Sequence, residues 1–356
     1  MRLISRLMII ILCGISASVY VHKNVVIDKS LPEYSSDLAM QKNSHLKTKV
    51  VPPQMSETIA VEDSLFKWMG KSVEDLVEQW GKPIRKDRSA YGYTWYIYTD
   101  EKKHHLQFGV LDKKIVTIFA LGEGVSIHPL SIGQTYDSVD DDIQIVEEVV
   151  YQNGSSTYKF HLSGDDLRMR PLAKVGEDMF VQCYFDTYTN KLSSIRIVNG
   201  EILLKHRPYK IHYRGSLSER PHISREGWKE IESGMERQIF EITNVLRSVY
   251  GKDYLHWESH VSDVAFLHSK DMALNDYFSH MSLNGQGLKE RLQAKKIVYL
   301  SAGENIAAQY PDAPSVVIGW LNSEDHRRAL LSEQYTHLGV GVYELYYTQN
   351  FVEKPF

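Results

Sequence analysis

Between Ala265 and Phe351 the chain gathers side chains able to do acid–base or ligand chemistry. They are His280 in Phe278-Ser279-His280, Glu304 and Asn305 in Gly303-Glu304-Asn305-Ile306-Ala307, and Ser323 and His326 in Trp320-x-x-Ser323-x-x-His326-Arg327. Apolar runs separate them, which is the composition of a polar cleft in a folded core. Ionisable groups are costly to bury unless they are paired or used, so a cluster of them asks for a role. Some chemistries are absent as motifs: there is no Gly-x-Ser-x-Gly elbow, no His-Glu-x-x-His and no cysteine placed to act as a nucleophile.

The order of the motifs adds information that none carries alone. His268-Ser269, Phe278-Ser279-His280, Gly303-Glu304-Asn305-Ile306-Ala307, Trp320-x-x-Ser323-x-x-His326-Arg327 and Gly339-Val340-Gly341 followed by Tyr346-Tyr347-Thr348-Gln349-Asn350-Phe351 closely resemble the CAP superfamily (cysteine-rich secretory proteins, antigen 5, pathogenesis-related 1) in its bacterial, disulfide-free form. The resemblance implies a three-layer α-β-α sandwich. It also implies a central cavity lined by two histidines and two glutamates, which in some members holds a divalent metal. His280 matches the first histidine, Glu304 the first glutamate and His326 the second histidine. Where the family pattern has Trp-x-x-Glu, this chain has Ser323, so the expected cavity is His280, Glu304, Ser323 and His326. His280, Glu304 and His326 are then the metal set, with zinc as the cation and a water in the open position. Glu324 is a substitute for the missing carboxylate if its helix is distorted. The bland readings are that His268 packs or caps beside Ser269, that His337 is structural, that Glu304-Asn305 holds a loop against the sheet, and that Arg291 and Arg327 neutralise carboxylates.

Helical periodicity places these motifs on elements. Ile239, Ile242, Val245, Leu246 and Val249 predict a helix over Met235 to Tyr250, ended by Gly251-Lys252-Asp253. A second helix covers Ser259 to Asn275, with Val264, Leu267, His268 and Met272 on its apolar face. A third carries Val316, Val317 and Trp320. Strands run through Leu338 to Tyr343 and Tyr346 to Val352, giving helices on both sides of a small antiparallel sheet.

Upstream, residues 63–202 read as a separate mixed α/β domain resembling the N-terminal domain associated with some bacterial CAP proteins. Gly70-Lys-Ser72 opens a helix with Val73, Leu76, Val77 and Trp80, and strands follow at Tyr91 to Tyr98, Leu106 to Leu111 and Ile115 to Leu121. Gly133-Gln-Thr135 opens a second round, with strands around Thr157 to Leu162, Met179 to Phe185 and Leu192 to Val198. Asp112-Lys-Lys-Ile115 is answered by Phe185-Asp186 and Lys191-Leu192, which reads as an internal duplication. The aromatic run Tyr91, Tyr93, Trp95, Tyr96, Tyr98 reads as sheet packing ahead of a ligand face. A Pro- and Gly-containing connector, 203–225, leads to the CAP-like domain at 226–356. The fold class is therefore α+β, a CAP sandwich preceded by a duplicated mixed domain.

The amino end assigns the compartment. Arg2 and Arg6 precede an uncharged run from Leu7 to Val21, the pattern of an export signal or short anchor over 1–22. A Pro-, Ser- and Lys-rich linker follows at 23–62. Leu12 before Cys13 argues against a lipid anchor, and Cys183 alone remains for the exported part, so no internal disulfide forms. The chain is expected to be extracellular, secreted or anchored to the outer face of the cytoplasmic membrane, with membrane contact through 1–22 if that segment is retained. A net charge of −4 gives no basic field for nucleic acid. Three functions compete: a noncatalytic module binding a cell-envelope ligand, a metal-assisted hydrolase of peptide or wall material with Glu304 as base, and lipid binding. The first is favoured, with peptide and lipid as partner classes.

Overall fold

The computed structural model describes residues 64–100 and 103–355; the expected export segment, 1–22, and linker, 23–62, lie outside them. Two compact units divide between Gly234 and Met235.

In the first unit a 3-10 turn, Leu65–Trp68, precedes helix α1 (Val73–Trp80), whose Ser72 cap accepts from Asp75 N at 3.0 Å. Strands β1 (Arg85–Arg88), β2 (Thr94–Asp100), β3 (His104–Leu111) and β4 (Lys114–Gly122) follow as a meander. Then come α2 (Tyr136–Ile143), β5 (Glu148–Asn153), β6 (Ser156–His161), α3 (Gly164–Met169), β7 (Leu172–Gly176), β8 (Met179–Asp186), β9 (Lys191–Val198), α4 (Gly200–His206) and β10 (Lys210–Arg214). Seven strands form one sheet in the order β1-β2-β3-β4-β9-β8-β7, and β10-β6-β5 form another. One face of the larger sheet buries Phe108, Ile118, Val181, Cys183 and Ile197 with Trp68, Leu76 and Val139. Cys183 is fully buried and burial pushes its thiol pKa up, as befits a packing residue.

The duplication is visible in hydrogen bonds. Gly70 N donates to Ile115 O and Ile115 N to Lys71 O; in the second half Gly133 N donates to Leu192 O and Leu192 N to Gln134 O. Each helix thus starts from a short stretch pinned to the turn of its own hairpin, and β4 pairs with β9 to join the halves. Tyr91, Tyr93 and Trp95 are buried, while Tyr96 and Tyr98 pack on the opposite, apolar face, so the aromatic run is shared between two sides of a sheet. The stretch expected to be a connector, 203–225, carries the end of α4 and all of β10, which pairs with β6 through Lys210 to Arg214. Pro208 and Gly215 bound that strand instead of marking an unstructured link.

The second unit holds most of α5 (Arg225–Val249), followed by β11 (His256–Trp257), α6 (Ser259–Leu274), α7 (Leu288–Ala294), β12 (Ser301–Ala308), α8 (Ala313–Leu321), α9 (Glu324–Leu330), β13 (His337–Tyr343) and β14 (Tyr346–Glu353). The sheet order is β11-β13-β14-β12, antiparallel except for the short β11–β13 pair. Adjacent residues of a strand face opposite sides, and β14 shows what lies on each. Thr348 bonds Ser269 of α6 at 2.8 Å, and Gln349 donates to Thr243 of α5 at 2.8 Å. Helix, sheet and helix are therefore stacked as three layers.

Gly339 and Gly341 are required by contact. A Cβ on Gly341 would lie 1.9 Å from Phe266 N, and one on Gly339 2.3 Å from Ser262 N, so the backbone of α6 rests directly on β13. That close seating fixes the depth at which α6 carries the residues beyond Phe266. The Glu304-Asn305 stretch, whose bland reading was a loop held against the sheet, is itself part of the edge strand β12.

Candidate functional site

Glu304 projects from β12 opposite Asn350 of β14, and its side chain is only 4% exposed. Four neighbours hold it. His280 Nδ1 lies 3.0 Å from Oε1, and Arg291 Nη2 donates to Oε2 at 2.7 Å. With its amide oriented to match its surroundings, Asn350 donates to Oε2 at 3.0 Å and accepts from Ala265 N at 3.3 Å. His268 Nε2 sits 3.9 Å from Oε1 and donates to Ser279 O at 3.0 Å. Burial alone would raise the Glu304 pKa, but the His280 hydrogen bond and the Arg291 charge outweigh it, and the carboxyl is held below the usual range.

Arg291, on α7, organises the segment that carries His280. Its Nη1 donates to His280 O at 2.9 Å, Gln286 O at 3.1 Å and Ser282 Oγ at 3.3 Å while Nη2 binds the carboxylate. The fork of the guanidinium suits this double duty, which a lysine would not reproduce. His280 itself is 47% exposed. In a neutral ring with Nδ1–H donated to Glu304, Nε2 would be the acceptor.

His326 enters from α9, near enough to His280 to feel its charge. Burial first, and His280 second, push its pKa down to about 4, with Asp325 opposing. It is therefore a neutral imidazole over most of the pH range. Asn305 fixes this wall: its Nδ2 donates to His326 O at 3.1 Å, and Trp320 Nε1 reaches back from α8 to Ile306 O at 3.1 Å. Consecutive residues of β12 thus hold two different segments, Glu304 the one that carries His280 and Asn305 the one that carries His326.

Ser323 precedes α9 at its N-cap position, where its side chain makes no capping bond. Glu324, the substitute carboxylate, pairs with Arg328 at 3.2 Å on the exposed side of α9. Arg327 donates to Leu321 O and lies over the Tyr250 ring. His337, in β13, bonds Thr336.

His268 is the residue that sequence reasoning set aside. It is completely buried against the Glu304 carboxylate, with Nδ1 lacking a partner among the described residues, and burial chiefly lowers its pKa. A signal was present: His268 shares the helical phase of Val261, Val264, Ala265 and Met272, all buried, whereas Leu267, assigned to the same face, is largely exposed. A histidine on the buried stripe of a helix packed on the sheet that carries Glu304 belongs beside it.

Among the described residues no group of three or more His, Cys, Asp or Glu side chains is arranged to hold a metal ion. The bonding explains why. Glu304 Oε1 faces His280 Nδ1 at 3.0 Å and Oε2 faces the Arg291 guanidinium at 2.7 Å, so the carboxylate is turned to an imidazole and a cation instead of to an open position shared with both histidines. The donor set as arranged does not fit a His280–Glu304–His326 metal triad.

Two family models match the chain: the CAP-associated N-terminal domain over residues 69–209, and the cysteine-rich secretory protein family over residues 240–353. The chain belongs to this CAP family. It is 43% identical over 290 residues to the uncharacterized membrane protein YlbC of Bacillus subtilis (strain 168), covering 82% of this chain and 84% of that one. An extracellular protein containing an SCP domain from Bacillus anthracis superposes with a TM-score of 0.77 at 40% identity, covering 87% of this chain and 100% of the other. A cysteine-rich secretory protein from Staphylococcus aureus gives 0.72 at 26% identity, with coverages of 82% and 94%.

Proposed function

We propose that the chain is a noncatalytic binding module acting outside the cytoplasmic membrane, with the cleft between His280 and His326 as its recognition site. The observation that carries this reading is the way Glu304 is held between His280 and Arg291. A general base works best with a pKa near the working pH; here the His280 hydrogen bond and the Arg291 cation at 2.7 Å hold the carboxyl below the usual range and make it a poor proton acceptor. What meets solvent is the His280 imidazole, held in place by Glu304 and Arg291, a pre-organised surface suited to recognition. The compartment is supported by the Leu7–Val21 run and by relatives described as an extracellular protein and a membrane protein. No helix among the described residues is long and apolar enough to cross a membrane.

The test is retention of the full chain on an isolated bacterial cell-wall and membrane preparation, compared with His280→Ala and His326→Ala. Saturable retention that the two variants lose, with no release of peptide or sugar fragments, is the expected result. Release of fragments that Glu304→Gln abolishes would replace this reading with hydrolysis. Protease added outside intact cells is expected to digest residues 23 onward, and a protected chain would refute the location.

A further inference from the structure

The backbone of β12 carries a binding feature that its side chains do not. Gln309 N donates to Leu345 O, and the β12–β14 register then turns the N–H and C=O groups of the odd-numbered residues toward β14. Those of Ala302, Glu304 and Ile306 face away from the sheet, as the bond from Trp320 to Ile306 O shows. At Ala302 and Glu304 no donor or acceptor among the described residues meets these outward groups. They are also open. The Glu304 side chain is 4% exposed, yet the residue as a whole is half-buried, so its main chain accounts for the exposure, and Ala302 and Gly303 are likewise half-buried.

The far side of the sheet, where β13 is flanked only by the two-residue β11, is treated differently. On β13, Leu338 O accepts from Glu258 N, Val340 N donates to Ser262 Oγ at 3.2 Å, and Val342 N donates to Glu236 Oε1 at 3.0 Å. Every outward position there has a partner. Unpaired edge groups invite strand addition, and proteins ordinarily cover or blunt them. The stretch left uncovered lies in the cleft, between the wall that Glu304 holds through His280 and Arg291 and the wall that Asn305 holds through His326 O. Met281 and Leu283, in the segment after His280, are exposed apolar side chains, at 51% and 69%.

We propose that the outward edge of β12 at Ala302 and Glu304 receives an extended peptide as an added strand, its backbone pairing with these residues and its side chains alternating between the His280–Met281 wall and the His326 wall. This rests on the binding-module reading and assigns the ligand of that cleft to extended polypeptide. Main-chain pairing supplies affinity in such complexes, and alternate side chains supply selectivity. Glu304 then serves twice: its buried carboxylate fixes one wall while its peptide groups meet the ligand.

The experiment pans a random heptapeptide display library against the full chain, then synthesises the selected peptide and measures its affinity by fluorescence anisotropy. Each peptide nitrogen is methylated in turn. A paired strand uses alternate residues, so affinity is expected to fall roughly tenfold at every second position and little between them. Amide exchange at Ala302 and Glu304 is expected to slow on binding. Ala302→Pro, which removes an outward N–H and is tolerable on an edge strand, is expected to weaken binding at least about tenfold. Failure to enrich any heptapeptide, a methylation profile without alternation, or unchanged exchange at both amides would overturn the proposal, and the last two need no variant. Should the wild type still be retained on the envelope preparation, only the peptide assignment falls; loss of that retention removes the binding-module reading as well.

Discussion

Removing the Glu304 carboxylate tests whether the site is a pre-tensioned polar network. Glu304→Ala strands the Arg291 guanidinium, which is 9% exposed, without its charged partner at 2.7 Å. Breaking a buried pair from one side costs roughly 3–5 kcal/mol. Glu304→Gln is milder, because the amide oxygen still accepts from Arg291 and the amide nitrogen can donate to His280 Nδ1 once that ring moves its proton to Nε2. The charge is lost and the bonds remain, so about 1–2 kcal/mol is expected. Both values apply at pH 7. Because the folded pKa of Glu304 is depressed, its contribution is complete above the unfolded value of about 4.3 and fades as pH falls through the folded value. Urea unfolding followed by hydrogen exchange of the β12 to β14 peptides reads this unit alone. Adding Arg291→Met to Glu304→Ala is expected to recover at least about 1 kcal/mol of the summed single costs. Additive single effects, or an alanine variant no worse than the glutamine one, would refute the network.

Three further outcomes are expected. His326 has a folded pKa of about 4, so the folded state resists its protonation; stability should fall as pH drops from about 6.5 toward 4, and His326→Gln should flatten that slope in a pH series of urea midpoints. Gly341→Ala drives a Cβ to 1.9 Å from Phe266 N, whereas Gly164→Ala meets nothing within 4 Å and has no left-handed backbone; the first should lower the thermal midpoint severely or prevent folding, and the second should be neutral or mildly stabilising. Ser323→Glu should not produce stoichiometric zinc uptake in a competition titration, because Glu304 is turned to His280 and Arg291; tight binding would show that the carboxylate can leave Arg291.

Side chains that sit in short motifs were the most legible: the structure brings His280 and Glu304 to 3.0 Å and sets His326 near His280. Less legible were residues whose role depends on helix phase or strand pairing. Asn350 looks like one polar residue among several in Tyr346–Phe351, and only the register opposite Glu304 gives it a function. β12 was hidden because its first half is Ser, Ala, Gly and Glu, which carry little β-propensity; pairing along β14 overrides that preference. The same holds for β1, whose sequence Arg-Lys-Asp-Arg has no apolar alternation and is a strand by virtue of β2. The first half of α5 escaped because Gly227 and Gly234 interrupt its pattern, yet the helix runs unbroken from Arg225. In the N-terminal unit the repeated Gly-x-Ser/Thr openings pointed to a duplication that the matching hydrogen bonds make explicit.

The seam between β4 and β9 has a consequence for how that unit is assembled. Every other pairing in the seven-stranded sheet joins strands of one half through a short hairpin, and only Thr117–Leu121 against Ser194–Val198 crosses from one half to the other. The sheet is in effect an internal dimer whose interface happens to be covalently tethered. A half made alone would present an apolar strand with its ladder unpaired, so it would be a partner in search of a mate. Two fragments separated at exposed Glu123-Gly124 should therefore each fail as a soloist and recover the native sheet when mixed.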